Sequence, residues 1–122
     1  MSDLRKARFA RLVRNALSEL PAEFAERIRN LAIVIEDEPR PDQIQGEGTL
    51  LGLYEGVPLT ARGYQEPYLP DRILIFRGPI ERMSVSPRHQ ARIVRDTVVH
   101  EVAHHFGISD ARLDELGLGD EE

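Results

Sequence analysis

Between Asp3 and Leu20 the apolar positions Leu4, Leu12, Val13, Ala16, Leu17 and Leu20 recur at near-helical spacing with arginines between them. That pattern predicts an amphipathic helix. Pro21 stands where a second helix can begin, and Ala22–Asn30 continues in helix formers. The period then changes. Leu31–Ile35 is a short, β-branched apolar run closed by Glu36, Asp37, Glu38 and Pro39, which predicts a buried strand. Residues Pro39–Gly48 read as a loop. Two extended runs, Thr49–Tyr54 and Val57–Ala61, flank Glu55-Gly56 and predict a β-hairpin. After a Gly- and Pro-containing loop over Arg62–Asp71, the run Arg72–Phe76 predicts another strand, stopped by Gly78 and Pro79.

The last third carries the clearest signals. Ser86-Pro87 has the form of an N-cap followed by proline at the first helical position. Nothing interrupts a helix from there to Phe106, and Gly107 sits where a left-handed C-cap glycine belongs. Ser109 and Asp110 can cap a short final helix through Leu116. This order of elements predicts one α+β domain over residues 1–122. It comprises N-terminal helices, a small mixed β-sheet of three or four strands, and a long C-terminal helix packed on that sheet.

Composition narrows the chemistry. The chain has 122 residues, 41% hydrophobic and 30% charged, which suits a single modest core. The net charge of -5 argues against a general nucleic-acid partner. Arg5, Lys6, Arg8, Arg11 and Arg14 are most simply the solvated face of the first helix. With no cysteine, any tightly held transition metal must use imidazole and carboxylate ligands. No window is long and apolar enough to suggest a membrane span, and Met1–Arg14 is too charged for a signal peptide, so a soluble, cytoplasmic protein is expected.

Within the long helix lies His100-Glu101-Val102-Ala103-His104. Residues four apart on a helix differ by roughly 40° and about 6 Å of rise, so both imidazoles leave one face and can reach one zinc ion. Glu101 lies roughly 100° round from His100, placed to reach a water on the metal and to act as the general base. Val94, Val98, Val99, Val102 and Phe106 fall on the opposite side, so the histidine pair is set away from the core stripe and can line a cleft. A catalytic zinc site needs a third protein ligand. Gly107 can turn the chain back, and Asp110 then arrives three residues later; an N-cap on the final helix is the plainer role for that aspartate. Asp114 and Glu115 are fallback ligands.

The stretch His100–Asp110 reads H-E-x-x-H-x-x-G-x-x-D and is similar to the extended signature of zincin metallopeptidases of the metzincin type, where the last position is usually histidine and in a minority of families aspartate. The whole chain resembles the small bacterial zincin-like metallopeptidase family, the minimal metalloprotease fold, in length and order of elements. The resemblance implies one zinc ion per chain at His100, His104 and Asp110, with Glu101 as catalytic carboxylate and a peptide or protein as substrate. One departure is clear: metzincins carry a methionine turn downstream of the third ligand, and the only methionines here, Met1 and Met83, lie upstream. In related folds an edge strand binds the substrate in extended form, and residues Leu50–Ala61 are the candidate for it.

Other polar residues have plainer roles. His105, on the border of the apolar stripe, is expected to pack or to support the site. Asp96 can orient His100 or pair with Arg92. Tyr54, Tyr64 and Tyr68 are more simply packing residues than oxyanion donors. Two rival functions stand beside the peptidase. One is a non-proteolytic zinc-binding regulatory or interaction module. The other is a metal-dependent nuclease, which Glu101 and the acidic charge argue against.

Overall fold

A computed structural model describes residues 2–25, 28, 31–44, 48–56, 71–108, 110–115 and 117, except for the side chains of residues 2, 3, 23, 110, 113 and 114. Helix α1 (Ser2–Ser18) is followed by a short α2 (Ala22–Ala25) and strand β1 (Leu31–Glu36). A 3-10 turn at Pro41–Gln43 precedes strand β2 (Gly52–Glu55) and strand β3 (Asp71–Phe76). Helix α3 (Arg77–Met83), the long helix α4 (Pro87–Phe106) and α5 (Asp110–Glu115) complete the order.

The three strands form one mixed sheet in the order β1-β3-β2. β3 is central, parallel to β1 and antiparallel to β2, with Gly52 opposite Ile75 and Tyr54 opposite Ile73. Its position explains its composition: Ile73, Leu74, Ile75 and Phe76 are all buried, as a strand covered on both faces requires. Ile73 and Ile75 meet Phe9, Val13 and Ala16 of α1, and Val94, Val98, Val99 and Val102 of α4, in one apolar core. The expected α+β layout, with the long C-terminal helix on a small sheet, is the one observed.

Several details differ from the pattern-based reading. Leu4 is 81% exposed; the apolar face of α1 is set by Phe9 and Val13 instead. The arrest expected at Gly78-Pro79 is a helix start: α3 follows β3 without a loop, since proline is tolerated in a first turn. Glycine is required at 78 because a Cβ there would lie 2.0 Å from Glu38 Oε2 and 2.7 Å from the Asp37 carbonyl oxygen. The second half of the expected hairpin, Val57–Ala61, lies outside the described residues.

Both ends of α4 are built as the sequence indicates. The Ser86 side chain accepts from the His89 backbone N–H, and Pro87 occupies the first turn. Gly107 closes the helix in the left-handed region at φ 69°, its N–H directed to Ala103 and His104, while the Ile108 N–H reaches the Ala103 carbonyl at 2.8 Å. Among the described residues no helix is long and apolar enough to cross a membrane.

Candidate metal and catalytic site

The C-terminal half of α4 brings His100, Glu101 and His104 together. The two imidazoles stand side by side, ring centroids 5.3 Å apart and planes inclined at 67°. His100 is half-buried and His104 is exposed. Glu101 is different: it is 8% exposed. Its Oε1 lies 3.3 Å from His104 Nδ1, yet that buried oxygen has no hydrogen-bond partner among the described residues. Burial pushes the Glu101 carboxyl above the usual glutamate range; the charges of His104 and His100 and a backbone hydrogen bond from Tyr54 oppose the shift.

Strand β2 makes that burial. A helical wheel places Glu101 and Thr97 opposite the core stripe, and the sheet edge covers them there. A Cβ on Gly52 would lie 2.6 Å from Thr97 Cγ2 and 3.2 Å from Glu101 Cγ, so only glycine lets β2 approach α4 this closely. Gly52→Ala is therefore expected to push β2 off the helix at about 1–3 kcal/mol of overpacking. Thermal unfolding reads the loss, and a Tm unchanged from wild type would contradict the contact.

Behind the histidine pair lies a second polar cluster that sequence reasoning missed. Asp71, the first residue of β3, accepts through Oδ2 from the Tyr54 hydroxyl of β2 and lies 2.9 Å from His105 Nδ1 on α4. Asp71 and His105 are each 4% exposed. His105 is buried, as expected of a packing residue, with a carboxylate partner the pattern did not name. The Tyr54 hydroxyl bonds inward to this carboxylate, in keeping with a packing role. Gly56 belongs to the same arrangement: a Cβ on it would meet Asp71 Oδ1 at 2.4 Å, and its φ is 153°. Nothing in the local pattern around Asp71 signals the cluster, because its members are 17 and 34 residues away.

Asp110 begins α5, three residues beyond the Gly107 turn; its side chain and that of Asp114 lie outside the described residues. Glu115, the other fallback, is exposed and accepts from Arg112 at 2.9 Å. Tyr64 and Tyr68 also lie outside the described residues. Asp96 accepts from Arg95 at 2.6 Å. Among the described residues no group of three or more metal-capable side chains closes on one point. Two neighbouring imidazoles with a buried carboxylate beside them nonetheless fit a zinc site, since borderline-soft Zn²⁺ favours that donor chemistry.

The family model of zincin-like metallopeptidases matches residues 28–119 of the chain, well over half of its length. The chain belongs to the zincin-like metallopeptidase family. The match takes in the sheet, α3, α4 and the histidine pair, and membership implies zinc as the cofactor in general terms. No curated protein matches the chain. Among solved structures the zincin-like chain is similar to a conserved hypothetical protein from Thermo thermophilus, at 24% identity and TM-score 0.57, covering 92% of this chain and 96% of that one. That likeness shows the fold.

Proposed function

We propose that this zincin-like protein is a zinc-dependent peptidase in which His100, His104 and Asp110 hold the metal and Glu101 is the general base. The observation that carries the reading is Glu101 itself. A carboxylate is costly to bury without full hydrogen bonding, and this one is buried beside two imidazoles at the foot of an edge strand. Zinc, when bound, supplies a Lewis acid for the scissile carbonyl and lowers the pKa of water.

The protein's own groups do the rest. Glu101 takes a proton as water oxygen adds to the carbonyl carbon, then delivers it to the amide nitrogen as the C–N bond breaks. Among the described residues β2 pairs with β3 alone, and its other edge is suited to an extended peptide added in β fashion. The same strand covers Glu101 and shields it from bulk water.

Zinc stoichiometry by elemental analysis after dialysis tests the ligand set. One zinc per chain is expected for wild type, and substoichiometric zinc for His100→Ala, His104→Ala and Asp110→Ala. Full retention in Asp110→Ala, with loss in Glu115→Ala, would move the third ligand to the later carboxylate.

A further inference from the structure

Arginines elsewhere on the protein are held in ion pairs, such as Arg72 with Glu55, Arg77 with Asp37 and Arg82 with Glu38. Arg8, Arg11 and Arg14 of α1 and Arg88 and Arg92 of α4 are exceptions. All five are exposed, and none has a carboxylate partner among the described residues. Arg8 and Arg11 stand three residues apart on one helix, and Arg88 and Arg92 four apart on the other, so each pair shares a face. In a chain with 21 acidic residues against 16 lysines and arginines, this face goes without the neutralising carboxylates.

The two helices enclose a groove. One hollow of about 330 Å³ lies between Leu12, Asn15 and Glu19 of α1 and Ala91, Arg92 and Arg95 of α4. A second of about 330 Å³ adjoins it at Leu12 and runs past Arg8 to Val85-Ser86 at the head of α4. Together they follow α1 from residue 8 to residue 19, about 17 Å of helix. Val85 is 85% exposed, and Leu4, one turn before Arg8 on the same face of α1, is 81% exposed. Among the described residues these are the most exposed large apolar side chains, and both belong to one end of the groove. The groove lies on the α1 side of α4, whereas Thr97 and Glu101 meet β2.

Unpaired cations and apolar side chains left in water fit one kind of occupant. Guanidinium groups take carboxylates in bidentate, charge-assisted pairs, and an apolar side chain laid over Leu12 and Val85 would remove them from water. A nucleic acid fits poorly. No aromatic side chain lines either hollow for base stacking, and Glu19 and Glu81 would face its phosphates. We propose that the groove between α1 and α4 docks an acidic amphipathic helix of a partner protein, its carboxylates on the unpaired arginines and its apolar stripe against Leu12 and Val85. Such docking is independent of the proposed hydrolysis.

The probe is a fluorescein-labelled peptide of about 12 residues, with leucine at every third or fourth position and glutamate between. It is titrated by fluorescence anisotropy into the full-length Glu101→Gln protein, so that the peptide stays intact. The expected result is saturable, salt-weakened binding, at least about tenfold tighter than that of the same peptide with glutamine in place of glutamate. Alanine in place of leucine is expected to cost about tenfold. Adding Arg8→Ala and Arg92→Ala together should weaken binding by about tenfold or more with Tm unchanged, since both side chains are exposed and unpaired among the described residues. Arg40→Ala with Arg82→Ala removes the same charge from exposed ion pairs elsewhere and should change binding by less than about twofold. No binding, equal losses in the two double variants, equal binding of the alanine peptide, or tighter binding of a single-stranded RNA of the same length would overturn the docking groove.

Discussion

Glu101→Gln is expected to abolish peptide hydrolysis, by about 10²–10⁴-fold or more, while zinc remains bound at one equivalent. The amide keeps the size and shape of the carboxylate but accepts no proton from water. The same substitution is expected to leave Tm unchanged or to raise it. In the native protein Glu101 is buried, with Oε1 lacking a hydrogen bond among the described residues, and burial disfavours its charged form. A neutral side chain removes that cost. The combination of lost turnover, retained zinc and retained stability distinguishes a catalytic base from a residue that merely holds the helix. Catalytic sites commonly carry such a stability cost. A Glu101→Gln protein that unfolds at markedly lower temperature would assign the carboxylate a structural role.

The second large effect is expected at Asp71. Its side chain joins the start of the central strand to Tyr54 on the edge strand and to His105 on α4, next in sequence to the proposed ligand His104. Asp71→Ala leaves a half-buried hydroxyl and a buried imidazole without this acceptor, each costing about 1–3 kcal/mol. A loss of roughly 2–5 kcal/mol follows, read as a fall in Tm of roughly 10 °C or more in thermal unfolding. Tyr54→Phe removes one hydrogen bond and is expected to cost about 1 kcal/mol. Arg82→Ala serves as the control: its ion pair with Glu38 is exposed, and no measurable change in Tm is expected. Equal effects for Asp71→Ala and Arg82→Ala would show that the buried cluster contributes nothing special.

These two sites mark the reach and the limit of sequence reading. Glu101 was legible because its chemistry is local: a five-residue spacing on an amphipathic helix defines which side chains converge, and Ser86, Pro87 and Gly107 fix where that helix begins and ends. The central strand was legible from Arg72–Phe76, since burial on both faces demands an apolar run. Asp71 was not legible. A buried carboxylate is defined by partners distant in sequence, and it stood beside its strand looking like any solvated loop end. Gly52 was hidden for a related reason: a glycine required by a neighbouring helix has the same local pattern as one required by nothing. Helix α3 was missed because Gly78-Pro79 reads as a stop, although a proline in a first turn and a glycine under the Glu38 side chain are consistent with a start. The third ligand remains a matter of the H-x-x-G-x-x-D spacing.

The peptidase reading is tested most directly by incubating the zinc-loaded full chain with a complex peptide library and profiling the products by mass spectrometry, wild type against Glu101→Gln. New cleavage products in the wild-type sample alone are the predicted result. Intact peptides in both samples, with one zinc per chain bound throughout, would contradict it and leave a zinc-holding domain that does not hydrolyse peptides.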